Sequence, residues 1–191
     1  MNKELRNLIS DDLHRYGIQN EKDMGFMARR ECYGYNYTKC LRQCYWYKEH
    51  NNRILFILSR MKLYRLSERY GFQISYATKI GRGLYLGHMG NIVVNWEATI
   101  GNNVNLSQGV TIGRANGGKR DGVPHIGDNV WIGANATVVG NITIGNDVMI
   151  APNTFVNFDV PSHSLVIMEK AKIICKANAT DNYVNNTVNV D

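Results

Sequence analysis

Between Ile74 and Val156 an aliphatic residue returns every six positions, at Ile74, Ile80, Leu86, Val94, Ile100, Leu106, Ile112, Ile126, Ile132, Val138, Ile144, Ile150 and Val156. Several of these leaders are followed at once by Gly. Four places after a leader stands a second small or branched residue, as at Thr78, Ala98, Val104, Val110, Val130, Ala136, Val148, Thr154 and Val160. Asn or Asp often precedes it, at Asn103, Asn129, Asn135, Asn141, Asp147, Asn153 and Asp159. A step of six fits neither the helical period nor the alternation of a plain strand. It describes very short strands broken by corners, a β-solenoid whose coils bury their aliphatics only against the coils above and below. Leaders and their partners are expected to point inward, with Asn, Asp and Gly at corners that need a residue tolerant of positive φ.

Ahead of this array, from Lys3 to Gly71, the apolar spacing is helical. Leu5, Leu8, Ile9 and Leu13 form one stripe. Ile54, Ile57, Leu58, Met61, Tyr64 and Arg65 form a second, with Arg53, Arg60, Lys62 and Arg69 facing outward. Gly71 is the expected C-cap, and the aromatic stretch Tyr33, Tyr35, Tyr37, Tyr45, Trp46 and Tyr47 is read as core under a helix. This segment is expected to cap the first coil, whose edge otherwise exposes unpaired backbone groups.

The formal charge of +6 favours an anionic partner. No nucleic-acid-binding motif of basic and aromatic residues is recognisable, so an anionic small ligand ranks above nucleic acid. The first ten residues lack the apolar core of a secretory signal, and the run Ile54 to Leu58 is too short to span a bilayer. A cytoplasmic location is expected, without stable membrane insertion. Cys32, Cys40, Cys44 and Cys175 then read as buried structural thiols, their spacing matching no recognised zinc pattern.

Two places break the six-residue step. Between Leu86 and Val94 the spacing is eight, which widens the turn Gly87-His88-Met89-Gly90-Asn91. Between Ile112 and Ile126 it is fourteen, and the excess forms a loop from Arg114 to His125 holding Gly117, Gly118, Lys119, Arg120 and Asp121. Insertions that leave the coils intact tend to mark a binding face.

At these residues the chain resembles the hexapeptide-repeat acyltransferases, and within them the serine O-acetyltransferase group. The resemblance rests on Lys79-Ile80-Gly81-Arg82-Gly83-Leu84, on Gly87-His88 followed by Gly90 and Ile92-Val93-Val94, and on Gly109-Val110-Thr111-Ile112-Gly113. It covers about residues 72 to 173. It implies a mainly β fold, a left-handed parallel β-helix with an N-terminal α-helical cap. It further implies a homotrimer with active sites between subunits, and acetyl-CoA as donor, with no metal expected. The expected division is a helical cap over residues 1–71, the β-helix acyltransferase domain over 72–160, and a C-terminal capping segment with a mobile tail over 161–191.

Moving an acetyl group from a thioester to a hydroxyl needs a base, oxyanion donors and a cradle for the donor. The family's catalytic His falls at His88, whose ordinary pKa leaves an imidazole able to accept a proton near neutrality. A solvated loop histidine is the alternative. Backbone N–H groups near Gly87 to Gly90 or at Gly113 are the candidate oxyanion donors. Gly117 and Gly118 permit close backbone approach, and Lys119 and Arg120 suit the phosphates of coenzyme A, a solvated basic loop being the alternative. By resemblance the coenzyme arm runs past Gly113, Ala134 and the Ala151-Pro152 corner, with Lys172 near its end. The family's closing Gly-x-Pro-Ala-Lys/Arg-Ile reads here Met168-Glu169-Lys170-Ala171-Lys172-Ile173, without Gly and Pro.

The acceptor end departs from the family. The Asp that orients the catalytic His in serine acetyltransferases aligns with Gln73, a candidate orienting residue through its amide oxygen, and a second Asp aligns with Gly87. The family's Asp-Arg-His-Pro reads Asp121-Gly122-Val123-Pro124. Free serine carries a carboxylate that wants a cation, so this loss points to a different acceptor: a sugar hydroxyl on a capsular or exopolysaccharide precursor, with Asp121, His125 and Asn91 near it. Acetylation of serine stays as an alternative. A scaffold without activity, or a metal-dependent hydratase, is a reading of another class. The hydratase needs three converging imidazoles, and only His88 and His125 lie in the solenoid.

Overall fold

The structure, a computed structural model, describes residues 2–169 and 175. Helices come first: α1 (Lys3–His14), the single turn α2 (Phe26–Glu31), α3 (Tyr33–Glu49) and α4 (Arg53–Tyr70). Helix α1 starts where the Asn2 side chain accepts the Glu4 N–H at 3.0 Å. Helix α4 starts where Asn52 accepts the Leu55 N–H at 3.2 Å, and it ends at Gly71 with φ 76°, the left-handed cap expected there. Among the described residues no helix is long and apolar enough to cross a membrane.

Short strands then wind around a triangular core. The first coil holds β1 (Phe72–Ile74), β2 (Lys79–Ile80) and β3 (Tyr85–Leu86). The second holds β4 (Ile92–Val94), β5 (Thr99–Ile100) and β6 (Asn105–Leu106). The third holds β7 (Thr111–Gly113), β8 (His125–Ile126) and β9 (Trp131–Ile132). The fourth holds β10 (Thr137–Val139), β11 (Thr143–Ile144) and β12 (Val148–Ile150). The last holds β13 (Phe155–Val156) and β14 (Ser164–Val166). Every pairing between coils is parallel, giving three sheets in the orders β1-β4-β7-β10-β13, β2-β5-β8-β11 and β3-β6-β9-β12-β14. We call these the first, second and third faces. The winding continues past Val160, where the sequence repeat fades, because β14 pairs with β12.

The register explains the period. Ile74 stands beside Val94, Val94 beside Ile112, Ile112 beside Val138 and Val138 beside Val156, so each leader sits on the leader one coil away. Both breaks in the step are absorbed at corners, so the ladders stay aligned. The leaders are buried apart from the half-buried Ile80, and the second residues Ala98, Val104, Val110, Val130, Ala136 and Val148 join them inside. Positive φ occurs at Asn103, Asn129, Asn135, Asp147 and Asn153, as expected. Asn141 and Asp159 do not take it; at the corner before Asn141, Gly140 does, with φ 94°.

The top coil has no coil above it, and the helical segment supplies the missing partners. On the first face the Tyr37 hydroxyl lies 2.9 Å from the Ile74 carbonyl and accepts the Ile74 N–H at 3.3 Å. On the second, the Arg42 guanidinium donates to the Ile80 carbonyl at 2.8 Å and to the Gly81 carbonyl. At the next corner Arg15 donates to the Gly83 carbonyl at 3.0 Å, and Asp12 accepts the Leu84 N–H at 3.0 Å. On the third face the Tyr16 hydroxyl accepts the Leu86 N–H at 3.1 Å and reaches the Leu86 carbonyl at 3.3 Å. A parallel sheet edge is thus closed by side chains rather than by another strand. Tyr37, Cys40, Leu41, Cys44, Leu63 and Tyr70 join the solenoid interior as one core, and Leu5, Ile9, Leu13, Met24 and Tyr35 form a second cluster.

Two readings of the helical segment need correction. On α4 the buried residues are Ser59, Leu63 and Tyr70, whereas Ile54, Ile57, Leu58, Met61 and Tyr64 are exposed. The helix is apolar on two opposite sides, and the one with Phe56, Leu63 and Leu66 joins the core. The cysteines are not uniformly buried: Cys40 and Cys44 are, Cys32 is partly so and Cys175 is exposed. Burial pushes the Cys40 thiol up to about 11.

Gly34 lets α3 approach the end of β3. A Cβ there would run into the Leu86 carbonyl oxygen and the Tyr16 hydroxyl. Gly34→Ala is therefore expected to lose ~1–3 kcal/mol or more, as overpacked sites do. A urea midpoint unchanged from that of the parent protein would contradict this contact.

Candidate active site

The corners of the solenoid stack into three edges, and the site residues fall on two of them. On the edge joining the third face to the first, the widened turn Gly87–Asn91 is uppermost. Gly90 sits against Gln108, a Cβ there falling 3.0 Å from the Gln108 Cβ. Below, the Asn135 N–H donates to the Gln108 carbonyl at 3.0 Å and the Asn153 N–H to the Ala134 carbonyl at 2.8 Å. His88, Ala134, Ala151 and Pro152 thus share one edge, His88 at its top. That is one continuous track along the solenoid.

The His88 turn is pinned at both ends by the helical segment. Leu86 is held by Tyr16, whose ring also packs on Tyr85 with centroids 4.6 Å apart. The Gly90 N–H donates to the Tyr70 carbonyl at 3.0 Å, and the Ile92 N–H to the Gly71 carbonyl at 3.1 Å. Between these anchors His88 is exposed, and its ring makes no hydrogen bond to another described residue. The Gly90 N–H, being committed to Tyr70, is withdrawn from the candidate oxyanion donors. Asn91 is exposed at the entry to β4, beside Gly71.

Gln73 is the outward residue of β1 on the first face, in register with Val93. It is exposed, and no hydrogen bond joins it to His88.

The long loop leaves the far edge of the first face. It folds back on itself through paired backbone bonds between Ala115 and Gly122, at 3.0 and 3.1 Å. Gly117 and Gly118 take φ of 80° and 75° with open space around them, so they turn the tip without steric cost. Asp121 accepts from Arg114 at 3.0 Å and from the Gly117 N–H at 3.1 Å, while Arg114 also reaches Glu97 at 2.6 Å. Arg120 donates to Asp159 at 2.8 Å, and the Thr143 N–H and then Arg120 hold the Asp159 carboxyl below its ordinary value. Asp121 and Arg120 are therefore engaged within the chain. Lys119 is exposed and forms no ion pair among the described residues. Gly113 ends β7 at the loop's base.

His125 does not join either group. It stands on the outward side of β8, on the second face, with Nδ1 2.9 Å from the Thr99 hydroxyl. Lys172 lies outside the described residues. Among the described residues no three His, Cys, Asp or Glu side chains converge as metal ligands would.

Within one chain, then, the His88 edge and the loop flank the first face on opposite sides. Three strand residues, on the order of 10 Å, separate them.

Sequence reasoning missed Tyr16, Asp12, Arg15, Tyr37 and Arg42, the residues that hold this geometry. One signal was present: Asp12 lies on the same helical stripe as Leu5, Ile9 and Leu13, a charge on an apolar face.

The comparisons with known proteins agree with this architecture. The family described as "Bacterial transferase hexapeptide (six repeats)" matches residues 124–157. "Serine acetyltransferase 4" of Arabidopsis thaliana is 42% identical over 110 residues, covering 58% of this chain and 31% of that protein. The serine acetyltransferase of Helicobacter pylori is 39% identical over 106 residues, covering 56% of this chain and 62% of its own length. Among solved structures, Neisseria gonorrhoeae serine acetyltransferase in complex with serine superposes with a TM-score of 0.69 at 30% identity, covering 90% of this chain and 70% of that one. Entamoeba histolytica serine acetyltransferase isoform 3, in complex with cysteine, gives a TM-score of 0.71 at 28% identity, covering 93% and 63%. The solenoid and its helical cap are thus a shared architecture. The chain belongs to the hexapeptide-repeat acyltransferases, in the serine O-acetyltransferase group. It spans between about a third and under two thirds of the length of these curated relatives.

These relatives overturn the expectation of a sugar hydroxyl in capsular or exopolysaccharide synthesis, since they are serine acetyltransferases. That expectation rested on two side chains missing from the loop. An absent contact is weak ground for a new acceptor when Lys119 still presents an exposed cation on the loop.

Proposed function

We propose that this protein transfers the acetyl group of acetyl-CoA to the hydroxyl of L-serine. The observation that carries the reading is the 42% identity over 110 residues with a serine acetyltransferase, beside a fold shared with serine acetyltransferase structures over 90% of this chain. His88 acts as general base, taking the serine hydroxyl proton as the oxygen attacks the thioester carbonyl. The tetrahedral intermediate then collapses, the carbon–sulfur bond breaks, and the protonated imidazole returns the proton to the departing thiolate. Donor and acceptor are held together in one complex, so the attack is direct.

The donor lies along the His88 edge past Ala134, Ala151 and Pro152. The loop of a neighbouring chain, with Gly113, Gly117, Gly118 and Lys119, closes the cleft. A homotrimer supplies three such clefts, each between two chains. Lys119 is the loop cation best placed to meet an anion, because Arg114 and Arg120 are engaged with carboxylates. Gln73, Asn91 and Asp121 line the acceptor side, Gln73 in the place of an orienting group for His88.

The test is a comparison of acceptors, following thiol release from acetyl-CoA with L-serine, D-serine, L-threonine and L-homoserine in parallel. Saturable release with L-serine, well above the other three, is expected. Release that ignores the acceptor, or a clear preference for another hydroxyl, would sink the proposal.

A further inference from the structure

Helix α4 presents a second apolar side that no other described residue covers. Ile54, Ile57, Leu58, Met61 and Tyr64 recur at helical spacing opposite the buried Ser59, Leu63 and Tyr70. They are 73%, 55%, 58%, 51% and 65% exposed. A shallow groove of about 360 Å³ runs along them, walled by Phe56, Ile57, Met61 and Tyr64 with Arg60 and Arg65. Single exposed apolar residues are ordinary, but five in one row along three turns are a surface with a use.

The charges say what kind of surface. Arg53 and Arg60 border the stripe on one side, Lys62 and Arg69 on the other, and Arg65 stands within it. All five are exposed, and none is in an ion pair among the described residues. Glu68 is the helix's one acid. A second copy of this chain laid against the stripe would bring ten cations and two acids to one seam, like charges facing like. A plane of anionic headgroups instead takes both features at once: the apolar row sinks to the acyl boundary while the cations keep their heads among phosphates. The helix has 18 residues, ~27 Å of length, and lies along a surface rather than crossing it.

We propose that α4 is a docking surface for anionic lipid bilayers, holding the protein at a membrane face without insertion. Each cation near such a surface adds attraction that salt screens. The test uses the full chain with sedimented vesicles, either of phosphatidylcholine alone or containing about a third phosphatidylglycerol. Binding to the anionic vesicles only, weakened at least roughly tenfold by raising salt from about 0.05 to 0.5 M, is expected. Ile57→Asp combined with Met61→Asp should weaken it by a similar factor with an unchanged thermal midpoint. Arg60→Gln with Arg65→Gln leaves the apolar row intact and should weaken it several-fold, which keeps the test decisive if the first variant fails to fold. Absence of binding to anionic vesicles would overturn the proposal. So would a fall in assembled mass of the Asp variant in sedimentation velocity, which would make the stripe a seam between copies.

Discussion

Replacing His88 by Ala is expected to lower kcat by about 10²–10⁴-fold, the usual worth of a positioned general base. Its stability should stay within about half a kcal/mol of the parent, as for exposed surface residues. The split follows from the structure: the turn is fixed through Leu86 and Gly90, not through the imidazole. The pinned ends hold the turn at the top of the edge that Ala134, Ala151 and Pro152 continue. Steady-state rates with acetyl-CoA and L-serine, paired with a thermal melt, check both halves. A rate within threefold of the parent would remove His88 from the chemistry. A large fall in midpoint would instead make its role structural.

Arg42→Ala is expected to be the most damaging single change to stability, costing ~3–5 kcal/mol because it strands a buried charge. Arg42 and Asp12 are both buried, with Nε to Oδ2 at 2.9 Å and Nη2 to Oδ1 at 3.1 Å, a fork on a carboxylate. The same guanidinium satisfies the Ile80 and Gly81 carbonyls, and Asp12 also accepts the Leu84 N–H. Truncation therefore leaves an unpaired carboxylate and two carbonyls at the top edge of the solenoid. For a chain of this size the midpoint should fall by about 6–20 °C. Arg42→Lys keeps the charge but loses the fork, and should fall between the two. Replacing both partners by apolar residues should recover part of the loss. If Arg42→Ala is no worse than a surface substitution, the helical segment does not cap the coil in the way described.

The solenoid was legible because its period is unusual and because a stacked aliphatic ladder tolerates no slip. Both insertions fall at corners, so the leaders kept their sequence signature through them. The His88 turn and the long loop were legible for the same reason, as departures from a strict step. The helical segment was less so. Helix α4 has apolar residues on two opposite sides, and spacing alone names a stripe without saying which one meets the core. Ile54, Ile57, Leu58, Met61 and Tyr64 were the more regular row, yet Leu63 and Tyr70 are the buried ones. The cap residues were hidden for another reason: Tyr16, Tyr37 and Arg42 act on backbone groups far away in sequence, and such contacts leave no periodic trace.

The acceptor was misread through its loop. The missing Arg and His suggest a loss of serine recognition only when each position is weighed alone, whereas the loop folds on carboxylates of the same chain, Arg114 on Glu97 and Asp121, and Arg120 on Asp159. Within the single chain the His88 turn and the loop stand on different edges of the solenoid.

The product made from acetyl-CoA and L-serine is identified most directly by mass spectrometry with acetyl-labelled donor. The label should appear in O-acetyl-L-serine, one molecule for each thiol released, and should vanish with the His88→Ala protein. Thiol release that leaves serine unlabelled, or proceeds equally without it, would rule out serine as the acceptor.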